Sequence, residues 1–458
     1  MRWITVACVL LTVLLYCDAN VDGIESLSVH PLVTPMTTGT AFVFAFLSSH
    51  FNANVTENLW VLVSNQNSTA TVQVTITSNY PGFQAITATV GPQNVTRIPI
   101  LPVDLQSQYP NNLTGSVTTI EKKGLRLIST LPVTVYLDNE RTHGGSGDGM
   151  LVLPICQLGT NYETINEESD YATINMYSVV ALQDNTEVRW INGSVGGTPT
   201  WGVATLNALE VLTNSHTTRR LTATEVKASA PVAVISGNVC GVSVNNNPVC
   251  DFESVMLTPQ QAWGTKFFFV TFEGTTLNGF ILTVNQTTNV YRDSTLLITI
   301  TADQYLIFNT GTSYIWTDKP AEVVQEGRLK VGTVQTGAPF FVHSPPSEQF
   351  ITGPVQFATD ALLANNTEHY VRIVTTVMNV GTFAIDNYTP SALLYTRVGR
   401  SSFYFYNMRI MPGTHTITPA SPSNFYSAVV YGYGDSTGYG FAAGLNLPAV
   451  NGPCAPTK

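Results

Sequence analysis

Charge is scarce in this chain of 458 residues, with only 11% of positions Asp, Glu, Lys or Arg. The balance is acidic, at a net −10, and Arg219-Arg220 is an isolated basic pair. A nucleic-acid surface needs clustered Lys and Arg to displace phosphate counterions, so no nucleic-acid partner is expected. Long Glu/Lys/Leu helical patterns are missing. So is any apolar run beyond residue 16 approaching the ~20 residues of a membrane span. Catalytic signatures are absent as well: there is no H-E-x-x-H, no G-x-S-x-G and no glycine-rich phosphate loop before a helix. Gly144-Gly145-Ser146-Gly147-Asp148 lacks the strand-to-helix setting that exposes a serine nucleophile, and reads as a flexible hairpin loop. The histidines are dispersed at 30, 50, 143, 216, 343, 369 and 415, and no C-x-x-C accompanies them. Neither a metal site nor a cofactor is expected.

What is present is Thr, Ser, Asn and Val, punctuated by 34 Gly and 25 Pro. That composition predicts an all-β chain with many turns. Residues 224–272 organise it, with strands predicted at Thr224–Ala228, Pro231–Gly237, Phe252–Leu257 and Lys266–Phe272. Pro231 is tolerated because the first residue of a strand need not donate to the ladder. Similar landmarks recur at 124–166, more weakly from Gly327, and again at 426–447. This last copy runs out before its Gly-Thr-aromatic strand, and GTAFVFAFL at 39–47 is a candidate for the missing strand. Other blocks of about 40 residues intervene, such as 59–90 and 176–212. The expected fold is therefore repeated antiparallel sheet units of about 40 residues, propeller-like, with the N-terminal strand closing the last unit. Tandem β-sandwiches, each built from two adjacent units, are the alternative.

The run P-V-A-V-I-S-G-N-V-C at 231–240, a second Cys before Asp251 and a closing W-G-T-K-F resemble the N-terminal region of IgG Fc-binding protein. YGYGDSTGYGFAAG at 431–444 is similar to that region too. The resemblance covers roughly residues 30–447 and implies a mucus or extracellular-matrix setting, with possible immunoglobulin Fc binding. Large members of the family also carry cysteine-rich von Willebrand D-type repeats, which these residues do not contain.

Residues 1–19 read as a secretory signal, with Arg2, an apolar stretch at Ile4–Tyr16 and small residues before cleavage after Ala19. Residues 20–38 form a lead-in, 39–447 the repeated β domain, and 448–458 a C-terminal tail. The expected protein is secreted, with an extracellular protein or glycoprotein as partner. Removal of the signal leaves Cys156, Cys240, Cys250 and Cys454, an even number that an oxidising compartment would pair. Antiparallel neighbours would bring Cys240 to Cys250, and Cys156–Cys454 follows by elimination. Sequons place candidate glycans on Asn54, Asn67, Asn94, Asn112, Asn192, Asn285, Asn365 and Asn387.

The strongest catalytic reading rests on Asp148, Asp251 and Asp435, which follow similar strands in three units. A ring would bring them to one face, where glycoside-cleaving propellers keep paired carboxylates. Asp beside Gly and Asn is also a favoured turn residue, and that reading is preferred. His143 and His343 occupy corresponding loops, with backbone hydrogen bonding as their expected role. The loops at 139–149, 238–250 and 432–440 are expected to share a rim suited to hydrogen-bonded recognition.

Overall fold

An 18-residue strand, Leu125–Thr142, shows how the chain builds its layers. Its first part pairs with Gly39–Phe44 and Val72–Ser78, through Phe42↔Leu127 and Ile76↔Leu127. Beyond Pro132 the partners change: Thr56–Asn65 and Ser146–Val152 flank the second part, through Val61↔Leu137 and Met150↔Leu137. One strand thus contributes to two antiparallel layers. Along Val72–Ser78 the side chains of Val72, Val74 and Ile76 are buried, the alternation of a half-covered sheet. They belong to the same buried apolar cluster as Leu59, Val61 and Val63.

The computed structural model describes residues 37–49, 56–107, 115–142, 146–166, 174–192, 199–217, 220–242, 250–302, 304–330, 336–359, 368–452 and 454. All belong to one unit, Thr34–Lys458.

The same pairing order returns three times. In the second stretch the long strand is split into Thr224–Ala228 and Val232–Val242, on either side of Pro231. Thr224–Ala228 lies between Asn161–Glu163 and Thr186–Asn192, and Val232–Val242 between Cys250–Met256 and Asn175–Ala181. In the third, Ser313–Glu326 pairs with Gly264–Phe269 and Thr288–Arg292, then with Asn278–Val284 and Phe341–His343. In the fourth, Thr414–Pro419 pairs with Val355–Ala358 and Phe383–Ile385, while Phe425–Tyr433 pairs with Glu368–Thr376 and Gly438–Ala442. Among the described residues the regular helices are short 3-10 turns.

These pairings correct the expected closure. Gly39–Phe44 does not complete the C-terminal unit; it is the first strand of its own stretch and pairs with Leu125–Thr142. It resembles Gly264–Phe269 because both open a stretch in the same way. A block of about 40 residues supplies only part of a two-layer stretch. Three of the strands expected from sequence lie close to those observed, as Thr224–Ala228, Val232–Val242 and Cys250–Met256. The fourth opens and ends earlier, at Gly264–Phe269.

Candidate functional site

Each stretch ends its second layer in a strand that has only one ladder partner: Ser146–Val152, Cys250–Met256, Phe341–His343 and Gly438–Ala442. Such an edge carries unpaired backbone N–H groups, which are costly to bury. The chain brings the four edges together and supplies carboxylates as their acceptors. Asp148 Oδ1 accepts from the N–H of Gly149 (2.8 Å) and of Gly440 (3.2 Å). Its Oδ2 accepts from Ser254 (3.0 Å) and Phe341 (3.1 Å). Asp148 therefore binds backbone from all four junction strands. Asp251 accepts from Gly147 and Phe252, both at 2.8 Å, and from Gly438 at 3.1 Å. At Gly440 any Cβ would meet the Phe340 ring at 2.5 Å, so only glycine permits this approach.

Burial pushes the Asp148 carboxyl well above the usual carboxylate range, and the four N–H donors pull it back. Asp251, fully buried, is pushed up to about 8 against the same kind of opposition. The third carboxylate does not join them: Asp435 is exposed beside Ser436, whose φ of 64° marks a tight turn. The described parts of 139–149, 238–250 and 432–440 do meet, but as buried strand edges. A cavity of about 20 Å³ lies among them, lined by Met150, Met256, Phe341 and Phe441. It has room for about one water and none for a sugar ring.

His343 is buried, with Nε2 2.7 Å from Gln349 Oε1, and burial lowers its pKa to about 4. His369 is likewise lowered to about 4 by burial, and its Nδ1 lies 2.7 Å from Tyr439 Oη. His143 lies outside the described residues. Among the described residues no group of three His, Cys, Asp or Glu could hold a metal ion.

Both cysteine pairs are bonded. Cys240–Cys250 closes the base of the 243–249 segment, with Cα atoms 5.1 Å apart. Cys156–Cys454 joins residues 298 apart, and Val450 and Asn451 donate to the Cys156 carbonyl beside it. Asn67, Asn94 and Asn387 are exposed, and Asn285 is half-buried with Nδ2 3.1 Å from Gln260 Oε1. Asn192 is buried, with Nδ2 donating to the Arg220 carbonyl at 3.4 Å. Asn54, Asn112 and Asn365 lie outside the described residues.

Two features had no signal in the sequence reading. One is an apolar sheet edge, Thr200–Leu206, where Trp201 is 76% exposed opposite Ile191 and near Val203. The other is Arg372, a buried cation on Glu368–Thr376. Strand patterning could place neither, because exposure and pairing depend on neighbouring stretches.

A family model described as IgGFc binding protein matches residues 148–432. No curated protein matches the chain. One solved structure, titled "Crystal structure of tetra-tandem repeat in extending region of large adhesion protein", is 13% identical and covers 90% of this chain and 100% of its own. Its TM-score of 0.10 gives no structural argument.

Proposed function

The chain belongs to the IgGFc binding protein family, and on that premise we propose a secreted, glycosylated recognition protein of mucus or extracellular matrix. Its partner is an extracellular protein or glycoprotein, with an immunoglobulin Fc region as the first candidate. The family match over 148–432 carries this reading. The bonded cysteine pairs and the exposed Asn67, Asn94 and Asn387 support an extracellular setting. Among the described residues no helix is long and apolar enough to cross a membrane. The recurrent pairing order supports tandem two-layer sandwiches rather than propeller blades.

The rival reading is a carbohydrate hydrolase using Asp148 and Asp251. Hydrogen bonding favours recognition over turnover here, because both carboxylates are engaged with backbone N–H groups in a buried junction. A glycosidase pair must instead reach a sugar and a water. The protein is best read as noncatalytic.

Immobilised Fc fragments and Fab fragments, with whole secretions alongside, provide the test. Saturable binding to Fc and not to Fab is the expected outcome; a different captured glycoprotein would keep recognition and replace the partner. Exchanging residues 243–249 while retaining Cys240 and Cys250 tests that segment as the contact. Glycan turnover in place of binding would overturn the reading.

A further inference from the structure

Arg372 is 3% exposed and makes no ion pair among the described residues. The Phe272 ring covers one part of its guanidinium at 4.4 Å from Cζ, and the Tyr431 ring stands at 5.7 Å. Aromatic faces attract a cation but do not accept its in-plane N–H groups. One of these is used: Nη1 donates to Gln325 Oε1 at 2.9 Å. Nε and Nη2 have no partner. Arg372 lines a cavity of about 10 Å³ with Phe268, Gln325, Ser344, Val374 and Ser427. That volume suits a single water-sized occupant. Ser344 and Ser427 are among the residues lining it, and no Asp or Glu is.

A buried charge is stable when it is paired and hydrogen-bonded. Water would accept from the open N–H groups and leave the charge unopposed, whereas a small anion does both. We infer that this cavity binds one monatomic anion of the halide class, chloride in saline surroundings, through Nε and Nη2 of Arg372. The site lies between the third stretch, which supplies Phe268 and Gln325, and the fourth, which supplies Arg372 and Ser427. The anion therefore fastens two stretches together. Burial lowers the Arg372 pKa to about 10, so the guanidinium keeps its charge at neutral pH.

Crystals of the full chain soaked in sodium bromide should show an anomalous peak within hydrogen-bond distance of Arg372 Nε and Nη2. The thermal midpoint should be about 1–3 °C higher in chloride than in gluconate at equal ionic strength. Arg372→Gln should remove both effects. Ser427→Val, which fills the cavity and leaves the cation in place, should also remove the peak and serves if the first variant does not fold. Ordered water at the site in bromide, with equal midpoints in the two salts, would overturn the inference.

Discussion

Asp148 and Arg372 are both ionisable, both buried and both set between stretches, yet their surroundings differ in kind. Asp148 has four backbone N–H donors spread over its two oxygens, drawn from every junction strand. Arg372 has one acceptor, two open donors and a cavity. Burial alone therefore does not distinguish a structural ionisable group from a binding one. The number of unmet hydrogen bonds does. A saturated carboxylate holds strand edges together, while a cation with open donors beside a void is arranged for an occupant.

The sharpest way to break this comparison is to remove the saturated group. Asp148→Ala would leave the N–H groups of Ser254, Phe341, Gly440 and Gly149 without their acceptor. At about 1–3 kcal/mol for each orphaned group, the loss should be about 4 kcal/mol or more. Asp148→Asn keeps the shape but turns an NH2 toward N–H donors, and should also destabilise strongly. Denaturant melts of both variants measure this. A loss below about 1 kcal/mol would mean the edges find other acceptors, and the contrast with Arg372 would collapse.

His343 supplies an intermediate case, a titratable group kept neutral by burial. Its folded pKa is about 4 against an ordinary 6.5, so the unfolded chain binds the proton first as the solution is acidified. The His343 contribution is intact above pH 6.5 and is lost as pH falls toward 4. The full loss is about 3 kcal/mol. Asp251 acts in the opposite sense: its pKa is raised from 3.8 to about 8, so its contribution falls as pH rises through that interval. The measurement is therefore a difference curve between wild type and His343→Gln, taken by urea melts from pH 7 to 4. The advantage of wild type should shrink by about 3 kcal/mol on acidification, and a flat difference would show that the imidazole is not held neutral.

Sequence patterning reaches the strands well and their assembly poorly. Thr224–Ala228, Val232–Val242 and Cys250–Met256 are visible from near-alternate apolar positions, because periodicity is a local property. Asp148 and Asp251 were visible as corresponding residues, yet they read as turn formers because Gly and Asn surround them. Both lie in strands, and their acceptor role depends on other strands far away in sequence, three for Asp148 and two for Asp251. Likewise GTAFVFAFL was recognised as a counterpart of GTKFFF but assigned to the wrong partner, since a strand motif does not specify its ladder. Arg372 sits in an apolar strand between Val371 and Ile373, where nothing local indicates a cavity.

The smallest expected effect on stability comes from the opposite environment, the exposed edge at Thr200–Leu206. Trp201 is 76% exposed and stands on a strand paired on one side only, with Thr186–Asn192. Little is buried there, so Trp201→Ala should change stability by no more than about 0.5 kcal/mol. Exposed Trp residues are enriched among the groups that dominate protein interfaces, and an unpaired edge can accept a partner strand. If the family's protein-recognition role uses this edge, the same substitution should weaken partner binding by roughly tenfold or more, about 1.4 kcal/mol. Titration calorimetry with the captured partner, beside a melt of the same variant, separates the two quantities. Unchanged affinity would remove this edge as the contact and return attention to the 243–249 segment. Weakened affinity with an unchanged melt would complete the contrast: the buried carboxylates govern folding, and the exposed edge governs recognition.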